Sequence, residues 1–284
     1  MRHSMNSRQE LEQIAIRAAK EAGCLIRQKC GRAARMELKA SEYDLVTEVD
    51  KACEEIVRRH VAEHCPTHQI LGEEGVAPGA EASAKALAES REAEFLWIID
   101  PIDGTTNFVH GLPYSVVSIG IAHRGEVVVG VIYDAFRDEL FTARLGEGAY
   151  LNGERMTVSE EATLPQALLA TGFPVDVRRA RAINMRGMNA LASTVRNFRA
   201  VGSAAMHLAY VAAGRLTGFW EADLNAWDLS AGSLLVQEAG GRVTDTRGTD
   251  YDLGVRHIVA TNGRVHEELV KVLVESQATG YETE

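Results

Sequence analysis

No stretch of this sequence holds the roughly 18 consecutive apolar residues that a membrane-spanning helix requires, so a bilayer span is not expected. The opening run, Met1 to Ser7, is polar and lacks the apolar centre of a secretory signal. Cysteine is scarce as well. Cys24, Cys30, Cys53 and Cys65 all fall in the first quarter at irregular spacing, which argues against a disulfide framework and for a reducing compartment. The expected location is therefore the cytoplasm. Basic residues are outnumbered, 30 Lys and Arg against 40 Asp and Glu, and they are scattered rather than striped. A net charge of −10 without a basic footprint argues against nucleic-acid binding, where such a footprint supplies most of the affinity. Internal repeats, heptad runs and low-complexity tracts are also missing.

What is present describes an ordinary globular chain: 46% hydrophobic and 25% charged residues over 284 positions. A chain of this length buries roughly three quarters of its unfolded surface, so it needs no covalent staples. The expectation is a single unit over residues 1–284 made of two approximate halves, 8–160 and 161–276. The acidic balance sets a problem for any anionic substrate, because the chain repels anions unless something local reverses the field. Bound metal ions can do that.

Apolar periodicity outlines the elements. Leu11, Ile14, Ala15, Ala18, Ala22, Leu25 and Ile26 predict a helix over 8–30. Thr47 is placed to cap a second helix running to about His64. Gln69 to Gly72 reads as a short strand opening onto Glu73-Glu74. Residues 75–91 are rich in Ala, Gly and Glu and read as a mobile surface excursion with room for one short helix. Phe95 to Ile99 is an apolar run of buried-strand length ending at Asp100-Pro101. Ser115 to Ala122 and Val127 to Asp134 predict two strands joined by a hairpin turn, followed by short strands over 140–151. The second half changes period. Strands are expected at 168–171, 216–221, 241–244 and 258–261, and helices at 177–191, 203–213, 228–239 and 265–275. Antiparallel strands first and alternating elements afterwards suggest an α+β half joined to an α/β half.

Four placements of carboxylates stand out. Asp100 and Asp103 stand in Asp-Pro-Ile-Asp-Gly-Thr-Thr-Asn, directly after the strand expected to be fully buried. Pro101 stiffens the backbone and Gly104 permits conformations closed to other residues, so this turn can aim two carboxylates and the Ile102 carbonyl at one point. Hard oxygen ligands of that kind suit Mg²⁺ or Mn²⁺. Glu73 also follows a short strand. Asp228 sits at a plausible helix start, where an isolated aspartate is most simply an N-cap. Asp50 lies near a helix start too, where a surface carboxylate favoured by the helix dipole is the simple reading. If these groups converge, two carboxylates 4 Å apart repel by about 4 kcal/mol at an effective dielectric of 20. Such a cluster raises its pKa values or recruits cations. Spacing alone does not prove convergence.

Trp97-Ile98-Ile99-Asp100-Pro101-Ile102-Asp103-Gly104-Thr105-Thr106-Asn107-Phe108 resembles the first signature of the inositol monophosphatase family, and Trp227-Asp228-Leu229-Ser230-Ala231-Gly232 resembles its second. Asp44-Leu45-Val46-Thr47 leading to Asp50, and Gly72-Glu73-Glu74, stand before them in the family's order. The likeness runs from about residue 10 to residue 275. It implies a layered αβαβα sandwich of the inositol monophosphatase and fructose-1,6-bisphosphatase type. It also implies a phosphomonoesterase with two or three Mg²⁺ ions, Mn²⁺ being a substitute. Glu73, Asp100 and the Ile102 carbonyl would hold one ion, and Asp100, Asp103 and Asp228 a second. Gly104 and Thr105 would bind the phosphate through backbone amides, beside Asp103 and Asp228. Asp50, Glu73 and Thr105 would carry catalysis by orienting and deprotonating the attacking water. Glu221, Gly202, Ser203 and Ala204 would line the substrate's alcohol side, with Asn225 at a variable position beside them. Ser203 as a simple helix cap and Glu221 as a strand end remain open. Lys39 is placed equally well near the metal–phosphate end or in solvent. The resemblance further implies a small phosphate monoester as partner, inositol monophosphate ahead of fructose-1,6-bisphosphate, histidinol phosphate, a nucleotide 3′-phosphate or NADP. It implies a homodimer and lithium sensitivity. A non-catalytic binding or regulatory protein that keeps the fold is the rival class. The segment between Glu74 and Trp97 is somewhat longer than the family pattern, which bears on specificity. His60, His64, Cys65 and His68 offer zinc-type ligands but lack a second matching pair. Gly146-Glu147-Gly148 reads as a turn rather than a nucleotide loop.

Overall fold

The computed structural model describes residues 7–32, 36–39 and 45–282. Helix α1 (Arg8–Lys29) begins where a capping box forms: Ser7 accepts from the Glu10 amide while Glu10 returns to the Ser7 amide. A two-stranded ribbon that periodicity did not announce follows, β1 (Met36–Leu38) and β2 (Leu45–Thr47). It leads into α2 (Glu48–His64), capped by Thr47 as expected. Asp44 lies outside the described residues. Strand β3 (Gln69–Gly72) ends in a single tight turn over Glu73–Gly75. The excursion at 75–91 contains the helix α3 (Ala80–Ser90), which buries only Ser83 and Leu87 because the rest of its side chains are small or charged. Strand β4 (Phe95–Asp103) does not stop at Asp100 but continues through Pro101 and Ile102. A single helical turn, α4 (Thr105–Val109), completes the motif.

Strands β5 (Val116–His123), β6 (Glu126–Asp134), β7 (Glu139–Arg144), β8 (Gly148–Leu151) and β9 (Glu154–Arg155) complete a seven-stranded sheet in the order β3-β4-β5-β6-β7-β8-β9. It is antiparallel except for the β3–β4 pair. The second half runs β10 (Leu168–Ala170), α5 (Ala180–Leu191), β11 (Asn197–Arg199), α6 (Ala204–Ala212), β12 (Gly218–Glu221), α7 (Ala226–Glu238), β13 (Arg242–Asp245), β14 (Ile258–Thr261) and α8 (His266–Glu275). Its sheet has the order β11-β10-β12-β14-β13. β10 pairs in parallel with β11 and β12, but β14 runs antiparallel to both β12 and β13. The alternating α/β expectation therefore holds only for the first part of this half. Between β13 and β14 no helix intervenes to return the chain in the same direction.

Packing arranges these elements in five layers. α1 and α2 cover one face of the large sheet, sharing a core of Leu11, Ala18, Cys53 and Val57 with Trp97, Ile119 and Val131. α6 and α7 lie between the two sheets. α5 and α8 cover the outer face of the smaller sheet around Trp220. The αβαβα sandwich is thus the observed architecture. Gly120 and Gly130 face each other across β5 and β6. A Cβ on Gly120 would meet the Ser230 hydroxyl at 2.3 Å, and one on Gly130 the Ala231 carbonyl at 2.7 Å. Their bare backbone lets α7 lie directly on the large sheet. Among the described residues no helix is long and apolar enough to cross a membrane.

Candidate active site

Strand β4 delivers the first two carboxylates. Its pairing with β5 loses register between Asp100 and Asp103, where Pro101 can donate no ladder hydrogen bond. The Ile102 amide turns back to Asp100 Oδ1 at 3.0 Å. Asp103 is held from the other half of the chain: its Oδ2 accepts from Ser203 Oγ at 2.7 Å and from the Ala205 amide at 2.5 Å. Ser203 is therefore both the cap of α6, accepting from the Met206 amide at 3.2 Å, and a clamp on Asp103. Asp228 is not an N-cap. Asn225 caps α7, and Asp228, three residues on, returns its Oδ2 to the Asn225 amide at 2.6 Å. In each aspartate one oxygen is pinned by a backbone amide.

The three carboxyl groups converge, each offering an oxygen within 4.8 Å of the others, and they are the group among the described residues able to gather a cation. Three full charges at that spacing repel by about 3.5 kcal/mol per pair at an effective dielectric of 20, about 10 kcal/mol for the triangle. That is comparable to the entire stability of a folded domain. Without a cation the cluster binds protons more tightly than free carboxylates do. Burial, then Glu73, Asp103 and Asp228, push Asp100 well above the usual carboxylate range. Burial, then Asp103 and Glu73, do the same to Asp228. Asp103 is pushed up to about 6 by burial, against the lowering pull of Ser203 and the Ala205 amide. Glu221 is 6% exposed, and burial, then Asp103 and Asp228, raise it strongly.

A second set adjoins the first. Asp50 is fully buried, not the surface carboxylate its helix position suggested. Its Oδ2 accepts the Thr47 hydroxyl at 2.5 Å and the Thr47 amide at 2.8 Å, closing a capping box. Its Oδ1 faces the Thr105 hydroxyl at 2.9 Å, and that hydroxyl also lies 3.1 Å from the Ile102 carbonyl. Burial raises the Asp50 carboxyl, opposed by the Thr47 and Thr105 hydrogen bonds. Gly104 sits at φ 99°, and a Cβ there would come within 2.7 Å of the Tyr114 carbonyl. Only glycine turns β4 into α4 without strain. Lys39 is not solvated but bridges Glu73 at 2.8 Å and Glu74 at 2.9 Å. Burial opposes its charge, yet the two glutamates outweigh this and hold it cationic.

A family model described as the inositol monophosphatase family matches residues 7–278. The chain belongs to the inositol monophosphatase family. Inositol monophosphatase 2 of Solanum lycopersicum is 42% identical to it over 95% of this chain and 100% of that one. A protein named Nus factor SuhB from Escherichia coli (strain K12) is 41% identical over 89% of this chain and 91% of its own length. Among solved structures, the Thermotoga maritima IMPase superposes with a TM-score of 0.82 at 35% identity, covering 93% of this chain and 97% of that one. The inositol monophosphatase from Anabaena (Nostoc) sp. PCC 7120 gives 0.81 at 38% identity, covering 94% and 96%.

In this family member the gathered donors are all hard oxygen, the three aspartates; Glu73, tied to Lys39, and the Ile102 carbonyl, which accepts from Thr105, are expected ligands outside that group. That chemistry fits a divalent cation of the Mg²⁺ or Mn²⁺ type. The histidines and cysteine at 60–68 do not gather. His60 pairs with Glu21, His64 turns to the His60 carbonyl, Cys65 is buried, and His68 accepts from Trp97 Nε1 at 3.0 Å. Sequence reasoning assigned no role to Asn107, although it stands inside the motif. Its amide group donates to the Tyr114 carbonyl at 2.9 Å and the Val201 carbonyl at 2.7 Å, tying the Gly104–Thr105 turn to the segment that leads into Gly202 and Ser203. Glu54 was also missed. It accepts from the Glu74 amide at 2.8 Å and so shapes the turn that carries Glu73. Neither carries a periodic signal, since both act across tertiary contacts.

Proposed function

We propose that the protein is a Mg²⁺-dependent phosphomonoesterase that hydrolyses inositol monophosphate to inositol and phosphate. The observation that supports this most directly is the juxtaposition of the Asp100–Asp103–Asp228 triangle with the Asp50–Thr105 pair on the adjoining turn. Divalent ions held by Glu73, Asp100, Ile102, Asp103 and Asp228 would neutralise the triangle, attract the phosphate and lower the pKa of water. The chain's own groups do the rest. The amides of Gly104 and Thr105, at the cap and first residue of α4, have no helical acceptors and suit phosphate oxygens. Thr105 donates its hydroxyl hydrogen bond to Asp50 Oδ1, so its oxygen can accept from, and so orient, an incoming water; as that water attacks, its proton passes to the Thr105 oxygen while the Thr105 proton passes to Asp50 Oδ1. Asp50, held by both donors of Thr47, is positioned as the proton's destination. Glu221, with a carboxylate that takes no hydrogen bond from the described residues and faces Asp103 and Asp228, suits the hydroxyls of a polyol. Gly202 and Ala204, the neighbours of the Ser203 that holds Asp103, are assigned to the same wall.

The reading is tested by phosphate release from inositol-1-phosphate with Mg²⁺ and with chelator, beside the Asp103→Asn variant. Mg²⁺-dependent turnover that the variant lacks supports it; turnover confined to histidinol phosphate would replace the substrate. The family resemblance extends the proposal to a cytoplasmic, lithium-sensitive homodimer. Sedimentation as a monomer, or activity indifferent to millimolar lithium, would remove those parts. The Nus factor SuhB relatives support a second reading, in which the fold serves as a partner-binding factor. Absence of turnover on every phosphate monoester above would favour it.

A further inference from the structure

A cavity of about 570 Å³, lined in part by Glu73, lies between the segment leading into α3 and the loop leading into α5. Asn225 and Trp227, which flank Asp228, line it as well, so it continues from the proposed reaction centre. Its volume falls within the range of pockets that enclose drug-sized ligands, roughly 300–1,000 Å³.

Away from the cage the lining is cationic. Arg178, Arg179 and Arg256 meet there, with Asp176 and Asp223 as the carboxylates among them. Both carboxylates are committed. Asp223 Oδ1 accepts from Arg256 Nη2 at 2.6 Å, and Asp176 Oδ1 accepts the backbone amides of Arg178 and Arg179 at 3.0 Å each. Arg256 is further fixed by Asn225 Oδ1 at 2.5 Å, which leaves other N–H groups of its fork unused. Among the described residues the Arg179 guanidinium has one hydrogen-bond partner, the Gly280 carbonyl at 3.3 Å. That of Arg178 has no hydrogen-bond or ion-pair partner among the described residues. Lys39, which also lines the cavity, is occupied by Glu73 and Glu74. In a chain of net charge −10, this is a local reversal of sign in a cavity that also holds Glu73 and the two neighbours of Asp228 on its helix and cap, Asn225 and Trp227.

We propose that Arg178, Arg179 and Arg256 form a subsite for a second anionic group carried on the alcohol side of the substrate. The substrate class then includes phosphate monoesters that bear a further phosphate or carboxylate. This rests on the phosphomonoesterase reading for its first phosphate, but the arginine subsite stands or falls on its own measurement.

Fructose-1-phosphate and fructose-1,6-bisphosphate differ only in the second anion, so the ratio of their KM values with Mg²⁺ reads the subsite. The ratio of their Kd values by calorimetry reads it without turnover. The bisphosphate is expected to be favoured at least tenfold, about 1.4 kcal/mol. In Arg178→Glu/Arg179→Glu the ratio should fall to about one, and added salt should shrink the wild-type advantage because both arginines are exposed. Arg178→Ala, which removes an exposed and unpartnered side chain, should lower the ratio severalfold and guards against misfolding of the double variant. Equal affinities in the wild type, or an advantage that survives both variants, would overturn the subsite. A Kd advantage lost in the variants without any turnover would uphold the subsite and sink the hydrolytic reading. Turnover of both sugars at a ratio of one would do the reverse.

Discussion

Removing the metal should make this protein less stable at neutral pH than in mild acid, the reverse of what most carboxylate-rich proteins do. Asp103 shows why. Its carboxyl moves from an ordinary 3.8 to about 6 in the folded chain, so the folded state holds the proton more tightly than the unfolded one. The stability this proton provides is fully present below about 3.8 and is lost as pH rises through about 6. A two-unit shift corresponds to about 3 kcal/mol at 1.36 kcal/mol per unit. For a chain of this size that amounts to a fall in Tm of roughly 6–12 °C. Asp100, Asp228 and Glu221 are raised for the same reason and act in the same direction. Mg²⁺ should reverse the trend: at a concentration a hundred times its Kd it restores about 2.7 kcal/mol, and only where the carboxylates are ionised. The assay is thermal unfolding in chelator and in Mg²⁺ between pH 4.5 and 8, with wild type beside Asp103→Asn. The variant replaces one charge of the triangle by a neutral amide that can still accept from Ser203 and Ala205. Its metal-free Tm should decline less with rising pH, and Mg²⁺ should lift it less at pH 7.5. Identical pH slopes for the two chelated proteins would refute the reasoning, because titration elsewhere would then control the trend.

Two further outcomes follow from the turn after β4. Thr105→Ala removes the hydroxyl between Asp50 and the Ile102 carbonyl and should lower kcat about a hundredfold with KM little changed; steady-state kinetics showing kcat within threefold of wild type would remove Thr105 from proton handling. Gly104→Ala forces a Cβ to 2.7 Å from the Tyr114 carbonyl at φ 99° and should cost about 2–3 kcal/mol in urea unfolding, with activity lost; a loss below about 0.5 kcal/mol would mean that the turn relaxes freely.

Much of this fold was legible in the chain because its signals are local. The apolar run before Asp100 marked β4, apolar spacing marked α1, and Thr47 as cap marked the start of α2. The ribbon β1–β2, the strand β11 and the antiparallel placing of β14 were not legible. Short strands carry too few residues for a period to show, and strand direction is set by neighbours far away in sequence. The site divides in the same way. Asp-Pro-Ile-Asp-Gly by itself keeps Asp100, Asp103 and the Ile102 carbonyl within four consecutive residues that proline and glycine constrain, although these lie on the irregular end of β4 and not on a turn after it. Whether Asp228 is a surface cap or a third corner of the cage, and whether Asp50 is solvated or sealed, only the tertiary structure decided. Asp228 reaches the turn because Gly120 and Gly130 let α7 rest on the large sheet. Ser203, 100 residues beyond Asp103, clamps it only once α6 is packed between the two sheets. Spacing along a chain determines which side chains share a face of one element. Which faces meet is settled by burying apolar surface across layers, and that burial holds these carboxylates together despite their repulsion.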